Sequence, residues 1–247
     1  MPNLLRQRFK QPSTRKGERV YAIGDIHGRH DLFRELIAAI VRHWNDSPRN
    51  FDRVEMVLLG DIIDRGPDSA LCLRLAHDLV THSRVHLLRG NHEDLLLKSI
   101  AGHPTAQQIW LGNGGEAFLA DFGIAPPRPN EDSIDFGERI AAAVPAHYVT
   151  MLEQAPLTFS SGDYLFVHAG IRPGVRLNSQ NEQDLLFIRG EFTQSDRNHG
   201  VVIVHGHSIV DAVEIHHNRI AVDTGAYASG RLSCVCLDGR RREIIHT

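Results

Sequence analysis

Six times along this chain a short apolar run stops directly on a small cluster of Gly, Asp, Asn or His. Val20–Ile23 runs into Gly24-Asp25-Ile26-His27-Gly28, and Met56–Leu59 into Gly60-Asp61-Ile62-Ile63-Asp64-Arg65-Gly66. Val85–Leu88 runs into Arg89-Gly90-Asn91-His92-Glu93 and Tyr164–Val167 into His168-Ala169-Gly170. Val201–Val204 leads to His205-Gly206-His207, and Ile220–Val222 to Asp223-Thr224-Gly225. Apolar runs this short and this rich in β-branched residues read as strands buried on both faces. One such junction is unremarkable; the repetition constrains the fold.

Between the first three strands the apolar period changes to that of a helix. Leu32, Phe33, Leu36, Ile37, Ile40 and Val41 share one face, with Asp31 placed as the N-cap. Leu71, Leu75 and Leu79 recur at i+4 after Pro67-Asp68-Ser69, and a third helix follows Asn91 through Leu95, Leu96, Leu97 and Ile100. Strand and helix in alternation imply a parallel sheet with right-handed crossovers. Ligands of such sheets bind beyond the carboxyl ends of the strands, where the polar clusters fall. Residues 102–160 read as less regular, with Gly112-Asn113-Gly114-Gly115 a flexible break placed by position near the cleft. The C-terminal quarter alternates short strands and turns and reads as more antiparallel. The expectation is one α/β domain, residues 19–247, with two sheets.

Residues 1–18 read as a basic, solvated tail. Arg6, Arg8, Lys10, Arg15 and Lys16 there face only Glu18, and no hydrophobic period is sustained. The whole chain is different: 27 Lys+Arg stand against 30 Asp+Glu over 247 residues, which argues against a generally basic nucleic-acid binder. No apolar run approaches the ~20 residues that span a bilayer, and no secretory signal opens the chain. The three cysteines, Cys72, Cys234 and Cys236, form no disulfide framework and no C-x-x-C pair. A cytoplasmic enzyme acting on neither nucleic acid nor membrane is expected.

Asp25, His27, Asp61, Asn91, His168 and His207 are metal-ligating residue types at strand ends. Asp25 and His27 are two apart, which in extended backbone would point both the same way. Two carboxylates, an amide and three imidazoles exceed one tetrahedral zinc and suit a pair of cations with mixed N/O donors. Without thiolates, a structural zinc is disfavoured.

The clusters at Gly24–Gly28, Gly60–Gly66 and Gly90–Glu93 resemble, in order, the three signatures of the PPP-type metallophosphoesterases. His168-Ala169-Gly170 and His205-Gly206-His207 resemble the two later histidine motifs, and the nearest likeness is to bacterial and bacteriophage lambda-type serine/threonine protein phosphatases. The resemblance implies a sandwich of two mixed β-sheets flanked by helices. It implies a first metal on Asp25, His27 and Asp61, with Asp61 bridging to a second on Asn91, His168 and His207. Manganese is the expected ion, with iron or zinc as alternatives in the cell.

The implied reaction is hydrolysis of a phosphate monoester by a hydroxide bridging the two metals, with a phosphoprotein or phosphopeptide as substrate. Arg65 and, in Leu186-Phe187-Ile188-Arg189, Arg189 match the phosphate-binding arginines; the family often has Trp where this chain has Phe187. His92 matches the general acid that protonates the leaving alkoxide, and Asp64 the carboxylate that orients it. Asp223 reads as a supporting residue, His205 as structural, Cys234 and Cys236 as core, and His216-His217 as a solvent-facing turn. The alternative is a dinucleoside polyphosphate hydrolase, on diadenosine tetraphosphate for example, or a small-molecule phosphatase on the same site. Asp64 and Glu93 favour the protein phosphatase, because the dinucleotide hydrolases tend to lack them.

Overall fold

In the computed structural model, residues 11–247 apart from Pro48 and Asn50 are described. The first half follows the expected alternation: β1 (Glu18–Ile23), α1 (His30–Asn45), β2 (Arg53–Leu58), α2 (Ser69–His82), β3 (Val85–Leu87) and α3 (Asn91–Ile100). Short helices follow, α4 (Pro104–Trp110), α5 (Glu116–Asp121), α6 (Ser133–Ala143) and α7 (Ala146–Gln154). The second half contains β4 (Thr158–Ser161), β5 (Tyr164–Val167), α8 (Glu182–Phe187), α9 (Gly190–Thr193), β6 (Val202–His205), β7 (Glu214–Ile215) and β8 (Arg219–Ala221). It ends on α10 (Ala226–Ser229), β9 (Ser233–Asp238) and β10 (Arg241–His246).

The strands form two five-stranded sheets, ordered β10-β9-β1-β2-β3 and β4-β5-β6-β8-β7. In the first, β1 pairs parallel to β2 and β2 to β3, while β9 pairs antiparallel to both β1 and β10. In the second, β5, β6 and β8 are parallel and the edges β4 and β7 antiparallel. The later half is therefore mixed rather than mainly antiparallel.

Alternation along each strand builds the layers. Val20 and Ala22 of β1 meet Tyr164, Phe166, Val202 and Val204 in the core between the sheets. Tyr21 and Ile23, the other face of β1, pack with Phe33, Leu36 and Ile40 of α1. On the far side Leu165 and Val167 of β5 pack under Leu185, Ile188 and Phe192. With both faces covered, alternation in hydrophobicity disappears, which is why the strands read as continuous apolar runs. Cys234 and Cys236 lie in this core, on the β9 face that joins the first helical layer. Among the described residues, no helix is long and apolar enough to cross a membrane.

Three expectations are corrected. Arg29, not Asp31, holds the N-cap of α1; Asp31 sits in the first turn and accepts from the Arg29 guanidinium at 2.9 and 2.7 Å. Residues 102–160 are largely helical, their helices of 6–11 residues being too short to display a clear period. Of the expected tail, residues 1–10 lie outside the described residues, while within 11–18 Thr14 and Glu18 are buried and Gln11, Arg15 and Lys16 are exposed. The Ser13 N–H donates to Asp163 at 3.1 Å, the Thr14 N–H to the Gly239 carbonyl at 3.1 Å, and Glu18 is buried in β1. Its carboxylate accepts from the Ser161 hydroxyl.

Candidate metal centre

The polar clusters converge at the carboxyl ends of β1, β2 and β3 in one sheet and of β5 and β6 in the other. Asp25 and His27 follow β1, Asp61 and Asp64 follow β2, and Asn91 and His92 open α3 just after β3. His168 follows β5 and His207 follows β6. Asp25 and His27 do not meet by strand alternation, because β1 ends at Ile23 and His27 has a φ of 47°. Of the six non-glycine residues with positive φ among the described residues, five are His27, Asp61, Asp64, Arg65 and His207. A backbone held in this sparsely allowed region costs on the order of 1–3 kcal/mol per residue, so the surrounding contacts must enforce it.

Those contacts are visible. The Glu93 carboxylate accepts the backbone N–H of Asp61 and Ile62 at 2.8 Å each and of Gly90 at 2.9 Å, tying the β2 loop to the start of α3. Gly90 permits the close approach, since a Cβ there would collide with the Asp61 carboxylate. Asp61 Oδ1 in turn accepts the His92 N–H at 3.0 Å, and the Asp25 carboxylate accepts the His207 N–H at 3.0 Å.

Two groups of donor atoms suit a cation, His27–Asp61–His92 and Asp61–His168–His207, each with its ligand atoms within 4.8 Å of one another. They share Asp61. The tautomers fit: Nδ1 of His27 pairs with the Ile63 carbonyl and Nδ1 of His168 with the Leu59 carbonyl, both at 2.9 Å. A carbonyl can only accept, so Nδ1 carries the proton and Nε2 turns a lone pair inward. His27 Nε2 then faces Asp61 Oδ2 at 3.6 Å, and His168 Nε2 faces Asp61 Oδ1 at 3.4 Å. Acceptor opposite acceptor is repulsive until a cation lies between them. His207 Nε2 is likewise buried with no hydrogen-bond partner among the described residues. Asn91 Oδ1 lies 2.9 Å from His168 Nε2. Asp25 stands outside both groups and joins the site through His207 and the charge of Asp61.

Electrostatics match this donor chemistry. Burial lowers His27 to about 3 and His207 to about 2, so both rings are neutral ligands at any physiological pH. Burial raises Asp61, but His168, His92, His27 and His207 outweigh it and leave the carboxyl below its ordinary range. Burial, then Asp223 and Asp61, push Asp25 well above the ordinary range. Asp223 is raised by burial to about 6 and spends Oδ1 on the Gly225 N–H at 2.8 Å.

Beside the donors, His92 Nδ1 meets Asp64 Oδ2 at 2.6 Å, with both side chains buried. Burial lowers His92, but the charge of Asp61 and the hydrogen bond and charge of Asp64 carry it above its ordinary value. Its Nε2 faces Arg65 Nη2 at 3.2 Å. A guanidinium only donates, so in this arrangement Nε2 is the acceptor and Nδ1–H points at Asp64. Arg189 lies in the junction between α8 and α9, exposed, its Nη1 donating to the His207 carbonyl at 3.2 Å. The structure thus brings every one of the ten expected residues to one locus. His205 is buried on β6 with Nδ1 on the Gly206 carbonyl, and His216-His217 lie between β7 and β8.

Two residues at this locus carry no sequence motif. Trp110 donates from Nε1 to Asp64 Oδ2 at 2.8 Å, fully buried. Tyr227, on α10, places its ring 4.7 Å from the Arg65 guanidinium carbon and edge-on to His27. Neither sits beside its partner in the chain, so no spacing could have announced it.

Over 86% of its length the chain is 25% identical to bis(5'-nucleosyl)-tetraphosphatase PrpE [asymmetrical] of Bacillus cereus (strain AH820), of which it covers 88%. A crystal structure of a candidate diadenosine tetraphosphatase superposes with a TM-score of 0.64 at 20% identity, covering 95% of this chain and 98% of that one. The cold-active protein-tyrosine phosphatase of a psychrophilic Shewanella gives a TM-score of 0.56 at 20% identity, covering 92% and 80% of the two chains. The family model of the calcineurin-like phosphoesterases matches residues 18–232. The chain belongs to that family and is a metal-dependent phosphoester hydrolase.

Proposed function

We propose that this enzyme hydrolyses bis(5'-nucleosyl) tetraphosphates unequally, releasing a nucleoside triphosphate and a monophosphate. The observation that carries this reading is the likeness to the Bacillus tetraphosphatase over 86% of this chain and 88% of that one. It favours this reading over the serine/threonine protein phosphatase expected from Asp64 and Glu93. Those two residues have local duties that any substrate would require: Asp64 holds His92, and Glu93 holds the loop of Asp61.

In this reading two divalent cations, manganese first among them, are held by Asp25, His27 and Asp61 and by Asp61, Asn91, His168 and His207. When bound, they supply Lewis acidity toward the phosphoryl group and a water nucleophile at neutral pH. The chain's own groups do the rest. Arg65 and Arg189 offer guanidinium N–H groups to the phosphate oxygens from the open side of the site. When Arg65 turns to a phosphate oxygen it leaves His92 Nε2, which is then free to carry a proton. Asp64 keeps the ring oriented and favours its charged form, so His92 Nε2 can deliver that proton to the departing oxygen.

The His92–Asp64 pair also supports a second reading, a phosphomonoesterase acting on phosphoproteins. An alkoxide leaving from serine is far more basic than a nucleotide phosphate and depends more on a proton donor. The test is direct. After chelation and return of manganese, hydrolysis is compared on diadenosine tetraphosphate, a phosphoanhydride, and on a phosphoserine and a phosphotyrosine peptide, both phosphate esters. A higher kcat/KM on the dinucleotide, with ATP and AMP as products, supports the first reading. Preference for either peptide overturns it in favour of the second.

A further inference from the structure

The turn that follows α4, Leu111–Gly115, belongs neither to the donor groups nor to a loop without contacts. Arg65 donates its backbone N–H to the Gly114 carbonyl at 3.1 Å and its Nε to the Asn113 carbonyl at 3.3 Å. One residue before the turn, Trp110 donates its indole N–H to Asp64 at 2.8 Å. We propose that Trp110–Gly115 is a positioning brace for the consecutive pair Asp64–Arg65. It fixes the proton donor through Asp64 and the phosphate ligand through Arg65. The proposal rests on the roles given above to His92 and Arg65.

The pair needs such a brace. Asp64 and Arg65 have φ of 71° and 65°, two non-glycine residues in succession in the left-handed region. Asp64 Oδ2 accepts from both His92 and Trp110, and Oδ1 has no partner among the described residues. With His92 alone, the carboxylate could turn about its Cβ–Cγ bond and present either oxygen. The indole N–H removes that freedom, and with it the freedom of the imidazole.

Two glycines let the turn close this far. Gly114 has φ of 106°, and a Cβ there would lie 2.6 Å from Arg65 Cγ. A Cβ on Gly115 would lie 2.6 Å from the Trp110 ring. The Asn113 amide donates to the Ile109 carbonyl at 2.7 Å, which holds the turn to α4. Proton delivery and phosphate grip are thus set by one short segment rather than by two independent ones.

Two measurements test it. The chain has two tryptophans, and Trp44 is 49% exposed, so the two indole N–H signals are told apart by NMR of the zinc-loaded protein. The Trp110 signal should exchange slowly and move on Asp64→Asn; exchange as fast as that of Trp44 overturns the hydrogen bond. In kinetics, Trp110→Phe removes the indole N–H donor and leaves a smaller aromatic ring in its place. Its loss on a phosphoserine peptide should exceed its loss on p-nitrophenyl phosphate by about tenfold, the leaving-group signature of a displaced proton donor.

His92→Asn is run beside it. Should His92→Asn separate the two substrates while Trp110→Phe does not, the brace fails and the role of His92 stands. Should His92→Asn fail to separate them, the reading of His92 falls and the Asp64 arm of the brace with it. Gly114→Ala probes the other arm: a KM several-fold higher on both substrates, with kcat less affected, is expected. An unchanged KM overturns the Arg65 arm.

Discussion

The floor of the site and its rim are built on opposite principles. On the floor, Asp25, His27, Asp61, Asn91, His168 and His207 are all at most 6% exposed. His27, Asp61, His168 and His207 also have a backbone contact that dictates which atom faces inward or where the loop runs. At the rim, Arg65 is half-buried, Arg189 is exposed and Tyr227 is 37% exposed. Arg189 is tied there by one long bond to a carbonyl. The floor is held from several sides; at the rim Arg65 is tied to Gly114 and Asn113, which leaves Arg189 the less constrained of the two guanidinium groups.

The largest effect is expected on the floor. Asp61 belongs to both donor groups, and its carboxylate alone supplies negative charge between His27 and His168. Asp61→Asn should abolish binding of at least one cation and lower kcat/KM by about a thousandfold or more on every substrate. Metal content by mass spectrometry and turnover on dinucleotide and peptide together check it. A loss confined to one substrate would break the division between floor and rim.

Next comes His92, which belongs to the floor by burial but in the proposed mechanism protonates the leaving group. His92→Asn should cost about 100- to 10,000-fold on a phosphoserine peptide, the span of general acid–base catalysis. Diadenosine tetraphosphate should suffer much less, since its leaving nucleotide needs little protonation. Equal losses on both would mean that His92 acts chiefly through Asp61, which it reaches at 3.9 Å, and not through the departing oxygen.

These dependences also explain what was legible in the sequence. Asp25, Asp61, Asn91 and their neighbours were readable because each strand end concentrates several functional residue types within five or so positions, and because strand ends of a parallel sheet converge. The family likeness followed from five such clusters in order. Trp110 was not readable: its partner lies 46 positions away, and a tryptophan in a short helix looks like core. It is core, with a donor on its edge. Residues 11–18 misled because their contacts, Ser13 to Asp163 and Thr14 to Gly239, are with distant backbone and carry no hydrophobic period. The Gly112–Gly115 stretch reads as a flexible break in the sequence, yet Gly114 and Gly115 are needed for close approach to Arg65 and Trp110. Asp64 and Glu93 do not separate the two substrate readings, because both act on the buried groups of the site: Asp64 on His92 and Glu93 on the loop of Asp61.

A moderate effect is expected from pH on the floor. Ligand imidazoles are already neutral, with His27 near 3 and His207 near 2, so a cation displaces no proton from them. Three other buried carboxyls are the opposite, unlike Asp61: Asp25 is pushed well up, Asp223 to about 6 and Glu93 to about 7, in each case first by burial. A cation favours the ionised form, so protons must leave as it enters. Affinity should therefore rise with pH between about 5 and 7, approaching tenfold per pH unit for each proton released. Calorimetry in buffers of different ionisation enthalpy measures that release. A flat affinity across this window would mean that the carboxylates are ionised before the metal arrives.

The smallest effect is expected at the rim, where it discriminates most. Tyr227 lies against Arg65 at 4.7 Å and edge-on to His27 at 5.5 Å, so an aromatic surface borders the arginine proposed to bind phosphate. A nucleobase or phenyl ring could stack there, at about 1–3 kcal/mol, while a serine side chain offers nothing to stack. Loss of the cation–π contact to Arg65, about 0.5–1 kcal/mol, would by contrast weaken all phosphate substrates alike. Tyr227→Ala should accordingly raise KM about twofold to fivefold for a phosphoserine peptide and more than tenfold for diadenosine tetraphosphate. An equal rise on both would reduce Tyr227 to a support for Arg65, and the choice of substrate would then rest on the setting of Arg189 between α8 and α9.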